Sequence, residues 1–271
     1  MNKNEYEKKC KEIRRTVLKM INMAGSGHPG GSLSCVEILV GLYYSGILDV
    51  NPESFKKIDH DRFVLSKGHA APVFYTVLSD RGFFPQEELK TFRKLHSRLQ
   101  GHPDSKKLPG VEISTGSLGQ GVSIATGMAM SAKRSKKDIK VFVLVGDGEL
   151  DEGLSWESFM AATNYGLDNY TVIVDSNKIQ LDGPVDKIMK LESLVDKFNA
   201  FGFETINVED GNDIEQIIAA YKTKRVKGKP RCIIANTIKG KGVSFMENKY
   251  EWHGKAPNNQ ELKDALEELK D

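Results

Sequence analysis

Two oxygen-bearing side chains, Asp147 and Asn177, follow apolar β-type segments and stand 30 residues apart in the sequence. Asp147 is flanked by glycines in a turn after the run at 141–145, and Asn177 follows the run at 171–174. Parallel strands joined by a right-handed crossover bring the residues that follow them together at one edge of the sheet. Carboxylate and amide oxygens suit a hard divalent cation and the phosphate that it carries. The pattern predicts a metal and phosphate site, with a solvated turn aspartate as the alternative for Asp147 alone.

Magnesium prefers octahedral oxygen ligation and leaves positions for phosphate and water. The Asp147 carboxylate, the Asn177 amide oxygen and a backbone carbonyl near Ile179 would supply three ligands. A diphosphate and water would complete six. Gly148 follows the aspartate and opens a helix, so we expect its N–H to point at the diphosphate with the help of the helix dipole.

Four histidines lie in predicted turns: His28, His69, His102 and His253. His28 lies in a glycine-dense loop, which lets backbone approach a ligand closely. His69 comes soon after a predicted strand, where open α/β sheets bind ligands. The alternatives are a plain turn for the first and a core or capping histidine for the second.

The elements that must position these residues alternate between strand and helix along the chain. Strands are predicted at 62–65, 141–145, 171–174, 203–208 and 231–236. Helices are predicted at 4–24, 73–81, 86–96, 212–224 and 259–270, with others capped by Ser32 or Ser34, after Gly121 and after the Asp147 turn. This order predicts a single domain, 1–271, of the α/β class: a doubly wound, mainly parallel sheet with helices on both faces.

Composition excludes several partner classes. The chain has 271 residues, with 39 Lys and Arg against 37 Asp and Glu spread along its length, a net charge of +2. We therefore expect neither nucleic acid nor a membrane surface as a partner. The three cysteines are widely spaced and predict reduced, buried thiols. A charged N-terminus without an apolar region and the lack of a membrane-length apolar run favour a cytoplasmic protein.

The glycine-rich segment GSLGQG at 116–121 is not a dinucleotide fingerprint. Its spacing is G-x-x-G-x-G, and no strand leads directly into it. Tight packing of the following helix or a close backbone contact explains its glycines better.

Taken together, the motifs are recognisable. The turn GDG at 146–148 followed by Asn177 resembles the diphosphate-and-metal motif of thiamine-diphosphate enzymes. The flanking motifs resemble transketolase in kind and order over almost the whole chain: SGHPG at 26–30, SKGHA at 66–70, GHP at 101–103, GSLGQG at 116–121 and WHG at 252–254. The histidine set separates this resemblance from thiamine-dependent 2-oxo acid dehydrogenases.

The resemblance implies roles for individual positions. The metal ligands would be Asp147, Asn177 and the carbonyl of Ile179. The cofactor-binding residues would be His69, Gly116, Ser117, Leu118, Gly148, Asn177, Lys239 and His253. The sugar channel and proton transfer would involve His28, His102 and His253, and Glu152 would join a carboxylate network between active sites. Glu149 and Asp151 are expected to be solvated or helix-capping.

The resemblance also implies cofactors and a partner. The cofactors would be thiamine diphosphate and Mg²⁺, with Ca²⁺ or Mn²⁺ as substitutes. Full-length transketolases carry further domains, which provide a glutamate for the aminopyrimidine and arginines for the sugar phosphate. These domains do not follow before Asp271, so we interpret the chain as the N-terminal subunit of a split transketolase. A C-terminal subunit with the pyrimidine-binding domain would complete a heterotetramer.

The expected reaction transfers a two-carbon ketol unit from a ketose phosphate to an aldose phosphate. Three alternatives remain open. A related thiamine enzyme would act on a branched or sulfonated sugar phosphate. A non-catalytic module would only bind the cofactor, and a decarboxylase or dehydrogenase component would release carbon dioxide from 2-oxo acids.

Overall fold

A computed structural model of the chain describes residues 1–191 and 193–270. Those residues form five strands and ten α-helices, together with short 3-10 helices. In chain order they are α1 (Lys3–Ala24), α2 (Pro29–Leu33), α3 (Val36–Tyr44), β1 (Arg62–Leu65), α4 (Ala71–Asp80), α5 (Gln120–Arg134), β2 (Val141–Gly146), α6 (Gly153–Asn164), β3 (Tyr170–Ser176), α7 (Val185–Ile188), α8 (Leu194–Ala200), β4 (Glu204–Val208), α9 (Ile214–Lys222), β5 (Arg231–Asn236) and α10 (Asn259–Glu268).

All five strands are parallel, and their order across the sheet is β1-β2-β3-β5-β4. The central strands β2 and β3 are buried along their whole length. Strands that are covered on both faces consist of continuous apolar runs, so these two segments are easily identified in the sequence. The predicted parallel α/β sheet is confirmed. Two of the predicted strands, 62–65 and 231–236, match the observed bounds, and the other three differ by one or two residues at their ends.

Helices cover both faces of the sheet, as predicted for a doubly wound fold. On one face α1, α3, α4 and α9 pack on Phe142 and Leu144 of β2. On the other face α5, α6 and α8 pack on Val141, Val143 and Val145 of the same strand. Successive residues of a strand point to opposite faces, so one strand contributes to two cores. Among the residues described, no helix combines the length and the apolar run that a membrane span requires.

The predicted helix at 86–96 is wrong beyond its first half. Only a 3-10 helix, Gln86–Thr91, forms there. Arg93 and His96 then adopt left-handed φ values of 58° and 65°, which an α-helix does not accommodate. The chain turns instead, and the turn brings Arg93 next to the histidine loop at 26–30.

The predicted serine cap at the start of the second long helix is also wrong. A short helix, α2, begins at Pro29, and α3 begins after Cys35 without a side-chain cap. The Ser32 hydroxyl donates to the carbonyl of His28 at 2.7 Å. The Ser34 hydroxyl donates to the carboxylate of Asp175 at 2.6 Å. Both serines therefore hold loops of the candidate site rather than the end of α3.

Candidate active site

Asp147 and Asn177 lie side by side at the carboxyl edge of the sheet. The register pairs Gly146 of β2 with Asp175 of β3, so the residues that follow the two strands meet. The buried Asp147 carboxylate accepts hydrogen bonds from the backbone N–H groups of Gly148 at 2.8 Å and Lys178 at 2.5 Å. The structure therefore brings together the two oxygen donors that the spacing predicts.

The electrostatics of this edge fit a cation with oxygen ligands. Burial, together with the nearby Asp175, raises the pKa of Asp147 to about 6, so a cation bound beside the carboxylate would favour its ionised form. The Lys239 ammonium donates to the carbonyl of Ile179 at 2.9 Å, so a positive group already contacts the third expected ligand. No cluster of three His, Cys, Asp or Glu side chains suited to a metal is found in the part of the chain that the structure describes. A cation here would need the Asn177 amide and backbone carbonyls as well as Asp147.

A buried ion pair lies directly beneath this edge, and the sequence analysis did not identify it. Lys67 follows β1 and pairs with Asp175, and both side chains are almost completely buried. The Asp175 carboxylate also accepts from the hydroxyls of Ser34 and Thr237 and, at 3.4 Å, from the Asn177 amide. The pair thus fixes the orientation of Asn177. The signals in the sequence that could have indicated this pair are a lysine directly after a strand and an aspartate within a strand.

Glu149 contradicts the expectation that it is solvated or helix-capping. Its side chain is 2% exposed. One carboxylate oxygen accepts from the Ser66 hydroxyl at 2.5 Å and the Gly119 N–H at 2.9 Å, and the other accepts from the Gly146 N–H at 3.3 Å. Burial raises the pKa of Glu149. Asp151 is exposed and accepts from a glutamine side chain, as a solvated residue would.

The four predicted histidines converge on one space. Ring centroids are 5.5 Å apart for His28 and His69, 5.4 Å for His28 and His253, and 6.4 Å for His28 and His102. His69 and His253 are stacked at 5.1 Å. The histidines come from four separate loops, so only the assembled fold forms this cluster.

Burial lowers the pKa of every histidine in the cluster. The pKa of His28 falls to about 4, with the Arg93 guanidinium as a further cause, and that of His253 falls to about 3, with Lys239 as a further cause. The pKa of His69 lies well below its usual range, and that of His102 is lowered as well. The cluster is therefore neutral at pH 7 and offers imidazole groups that both donate and accept hydrogen bonds.

Two cationic side chains border the histidines. The Lys239 ammonium lies 2.9 Å from Nδ1 of His253, and burial lowers the pKa of Lys239 to about 8, helped by Lys67. The Arg93 guanidinium lies 3.4 Å from Nδ1 of His28, while its buried Nε atom has no hydrogen-bond partner among the residues described. Arg93 was missed by sequence reasoning because it falls in a segment predicted to be helical.

The segment 116–118 lies at the surface beside the histidines. Gly116 has a φ of +136°, and a Cβ there would come within 2.8 Å of the His102 ring. A Cβ on Gly68 would come within 2.8 Å of the Gly116 nitrogen. Ser117 and Leu118 are at least partly exposed, so the backbone of this segment is available for contact. The glycines permit a close approach of three loops, as the spacing suggested.

A cavity of about 870 Å³ adjoins the oxygen-donor edge. Asp147, Asn177 and Ile179 line it, and it continues over the ends of β3 and β5 along apolar side chains such as Val185 and Leu194. None of the four clustered histidines lines it. The oxygen donors therefore border a cavity that is largely apolar and that the histidine cluster does not line.

Glu152 stands apart from this arrangement. Its side chain is exposed at the start of α6 and makes no hydrogen bond or ion pair within residues 1–191 and 193–270. A carboxylate network would need a second chain, so the role expected for Glu152 stays a prediction.

Comparisons with known proteins agree with this geometry. Residues 6–270 match the family model described as transketolase, thiamine diphosphate binding domain. One of the subunits of the apulose-4-phosphate transketolase of Actinobacillus succinogenes is 43% identical over 99% of this chain and 97% of that protein. A 6-deoxy-6-sulfo-D-fructose transketolase subunit of a Clostridium species is 40% identical over 95% of this chain and 93% of that protein. The crystal structure of transketolase from Campylobacter jejuni superposes with a TM-score of 0.92 at 37% identity, over 99% of this chain but only 43% of that one.

Proposed function

The chain belongs to the transketolase family, and from this membership we propose that it is the diphosphate-binding subunit of a two-chain transketolase. The complex would transfer a two-carbon ketol unit from a ketose phosphate to an aldose phosphate. The observation that carries the proposal is the meeting of two features in one set of loops. The oxygen donors Asp147 and Asn177 lie at the sheet edge, and Lys239 links that edge to the four-histidine cluster through His253.

Thiamine diphosphate and a divalent metal, Mg²⁺ by preference, would be held by residues already in place. Asp147, Asn177 and the carbonyl of Ile179 would bind the metal. The diphosphate would contact His69, Gly148, Asn177, Lys239 and His253, and the backbone of Gly116, Ser117 and Leu118 would approach the cofactor rings. When bound, the cofactor supplies the chemistry of carbon–carbon bond cleavage, and the protein supplies position, proton transfer and charge.

The histidines would act on the sugar. Since His28, His102 and His253 have lowered pKa values, each is a neutral imidazole at pH 7 that can accept a hydrogen bond from a sugar hydroxyl or donate one to it. A cluster held neutral avoids the repulsion that several imidazolium groups at this separation would suffer. Arg93 places one positive charge beside His28, which suits a substrate with an anionic group.

A partner chain is proposed because this chain matches the full length of some relatives but only part of others. It covers nearly the whole of two relatives named as transketolase subunits but 43% of the Campylobacter chain, which is longer than twice the matched region. We propose that a second polypeptide carries the pyrimidine-binding and C-terminal domains, and that two copies of each chain form a heterotetramer. Glu152, exposed on α6, would contribute to the carboxylate network across that assembly.

The substrate range has a second candidate. The relatives that match over nearly their full length are named for apulose 4-phosphate and 6-deoxy-6-sulfo-D-fructose, not for the common pentose phosphates. These names favour a ketol transferase acting on a branched or sulfonated sugar as the alternative to transketolase acting on xylulose 5-phosphate and ribose 5-phosphate. All of these substrates carry a terminal anion.

The proposal is tested by reconstitution. The chain is mixed with the product of a neighbouring reading frame that carries the missing domains, and ketol transfer is measured on pentose, branched and sulfonated sugar substrates. We expect activity only when both chains, thiamine diphosphate and Mg²⁺ are present. Full activity of the isolated chain would overturn the two-chain proposal, and activity with one sugar class selects between the substrate candidates.

The metal assignment has its own test in the same complex. Replacing Asp147 by Ala removes the carboxylate of the proposed metal site, and we expect metal-dependent binding of thiamine diphosphate to be lost. Asp151→Ala, an exposed acid of the same turn, is the matched control and should bind normally. Unchanged cofactor affinity in Asp147→Ala would contradict the ligand assignment.

A further inference from the structure

A second cavity lies at the opposite, amino edge of the sheet. Its volume is about 150 Å³, and the residues that line it come from the starts of β2, β3 and β5, from α9 and the residues after it, and from the loop after α3. Three of them are cationic: Lys140, Arg225 and Arg231. The lining also includes the hydroxyl-bearing Thr171 and Tyr221, of which the Tyr221 hydroxyl already donates to the carbonyl of Ile38 at 3.0 Å. The cavity therefore combines positive charge with hydrogen-bond donors.

Arg225 is the unusual member of this group. Its guanidinium donates to the backbone carbonyls of Asp168 at 2.9 Å and Tyr170 at 3.3 Å, and to the hydroxyl of Thr171. It is half-buried and forms no ion pair with any carboxylate of the residues described. Burial, together with Arg231, lowers the pKa of Arg225 to about 10, although the nearby carboxylates of Glu204, Asp168 and Asp61 act in the opposite direction.

The acids near the cavity are already paired with other cations. Glu204 pairs with Arg231 at 3.0 Å, Asp168 pairs with Lys133 at 2.7 Å, and Asp61 contacts Lys140 at 3.6 Å. One positive charge, that of Arg225, is therefore left over. The hydroxyl of Thr171 accepts from Arg225 and donates to no acceptor in the described parts of the chain, so its proton is free for a ligand.

We propose that this cavity binds a small oxyanion, with the phosphate group as the ligand chemistry of the right size and charge. A cavity of about 150 Å³ holds a group of five or six heavy atoms, and phosphate has five. Three of the five N–H groups of Arg225 are bonded within the protein, and the remaining Nε–H and Nη2–H would bind the anion. Lys140 would supply a mobile charge and Thr171 a hydroxyl. Free phosphate and the phosphate end of a sugar phosphate share this chemistry.

The proposed site is distinct from the cofactor edge. Thr171 stands near the start of β3 and Ser176 at its end, five residues later, which corresponds to about 16 Å along a strand. An anion bound at the amino edge would therefore not compete with a diphosphate bound near Asp147. The site is a second one on the same sheet, and its existence does not rest on the proposed reaction.

The test uses the full chain and inorganic phosphate as the probe. Phosphate is titrated against chloride of equal ionic strength, while amide NMR signals of Gly46 and Ile47 report the cavity and signals of Gly148 and Lys178 report the cofactor edge. We expect saturable shifts at Gly46 and Ile47. Ribose 5-phosphate and ribose form the second arm: tighter binding of ribose 5-phosphate than of phosphate identifies a sugar phosphate as the ligand, and weaker binding identifies free phosphate.

Variants distinguish phosphate binding in the cavity from nonspecific attraction of phosphate to positive charge on the surface. Lys140→Gln should weaken phosphate binding at Gly46 and Ile47 by about three- to tenfold, and Arg225→Gln should abolish it. Lys137→Gln is the matched control, because Lys137 is a similarly exposed lysine paired with an aspartate and does not line the cavity. Should Arg225→Gln fail to fold, phosphate binding by Lys140→Gln and Thr171→Val provides the test, and weaker binding in both is the expected result. Phosphate shifts confined to the cofactor edge, or equal loss in Lys137→Gln, would overturn the proposal.

Discussion

Asp147 and Glu149 stand two residues apart in one turn, and both are buried, yet their surroundings suit different tasks. Asp147 accepts two backbone N–H bonds and borders the cavity at the sheet edge, so it remains accessible to a ligand. Glu149 points into the protein and accepts from three donors that belong to three different segments. Asp147 therefore borders the space in which a ligand is proposed to bind, and Glu149 holds the loops around it.

Glu149→Gln tests this division of roles. The carboxylate of Glu149 faces only donors, so the amide nitrogen of glutamine would oppose one of them. We expect the free energy of unfolding to fall by about 1–3 kcal/mol, measured by urea denaturation. Asp151→Asn, which changes an exposed acid in the same turn, should alter it by less than about 0.5 kcal/mol. Equal stability of the Glu149 variant and the unmodified chain would contradict the anchoring role.

The histidine cluster predicts a loss of stability at mildly acidic pH. His28 has a pKa of about 4 in the folded chain and about 6.5 when unfolded, so between these values only the unfolded state binds the proton. Unfolding therefore becomes easier as the pH falls from 6.5 towards 4. Asp147 has a raised pKa, so its protonation below pH 6 stabilises the folded state and opposes the effect of His28. This contribution is the same in every variant that retains Asp147.

His28→Asn removes the contribution of one imidazole. Between pH 7 and pH 5 the variant should lose about 1 kcal/mol less unfolding free energy than the unmodified chain, after allowance for the partial exposure of His28. Urea denaturation at the two pH values gives the difference. Parallel pH dependence in both proteins would show that His28 is not held neutral by the fold.

At the scale of single residues, the sequence identified side chains that bear chemistry next to strand ends. Asp147 and Asn177 meet at the sheet edge as their spacing predicted, and the four histidines placed in turns form a cluster around His28. Lys67, Asp175 and Arg93 were missed, because their significance depends on which side chain each meets across the fold. Burial of a lysine or an aspartate has no local sequence signature when its partner is over a hundred residues away, as Lys67 and Asp175 are.

At the scale of elements, α5 is placed by its glycines. A Cβ on Gly121 would lie 2.5 Å from the Ser66 hydroxyl oxygen and 2.8 Å from the Ser66 Cα, so the helix starts in contact with the loop after β1. Gly127, six residues further along the same helix, is exposed, and a Cβ there would meet no atom within 4 Å. The two glycines share a helix but have opposite surroundings.

Alanine at the two positions should therefore have effects of opposite sign. Gly121→Ala should destabilise the chain by about 1–3 kcal/mol, because Ser66 is held by Glu149 and has no room to move. Gly127→Ala should stabilise it by about 0.5–1 kcal/mol, since alanine reduces the freedom of the unfolded chain and favours helix. Both are measured by chemical denaturation. Destabilisation by Gly127→Ala, or none by Gly121→Ala, would contradict this account of the packing.

The sequence predicted strands better than it predicted the irregular segments between them. Strands buried on both faces produce continuous apolar runs, so β2, β3 and β5 were located within one or two residues. The failures lie between Thr91 and Leu99 and before α3, where left-handed residues and hydrogen bonds to distant side chains set the path. These segments carry part of the candidate site, and their geometry is a property of the assembled fold.

At the scale of the whole molecule, the sheet has two edges with different chemistry. Asp147 and Asn177 lie at the carboxyl edge, where Lys239 connects them to the histidine cluster, and Arg225 and its neighbours lie at the amino edge. The transketolase proposal concerns the first edge only. On that proposal this chain holds the diphosphate end of the cofactor, while the pocket for the aminopyrimidine belongs to the partner.

That division predicts how the isolated chain discriminates between ligands. Inorganic diphosphate and thiamine diphosphate share the group that Asp147, Asn177 and Lys239 would bind, and the cofactor's rings would lack most of their pocket. The two ligands should therefore bind the isolated chain with Mg²⁺-dependent affinities within about tenfold of each other, measured by isothermal titration calorimetry. Adding the partner should favour thiamine diphosphate by about a hundredfold or more, because burial of its rings then contributes. Equally strong discrimination by the isolated chain would mean that it carries the ring site itself, and the two-chain division of the cofactor would be wrong.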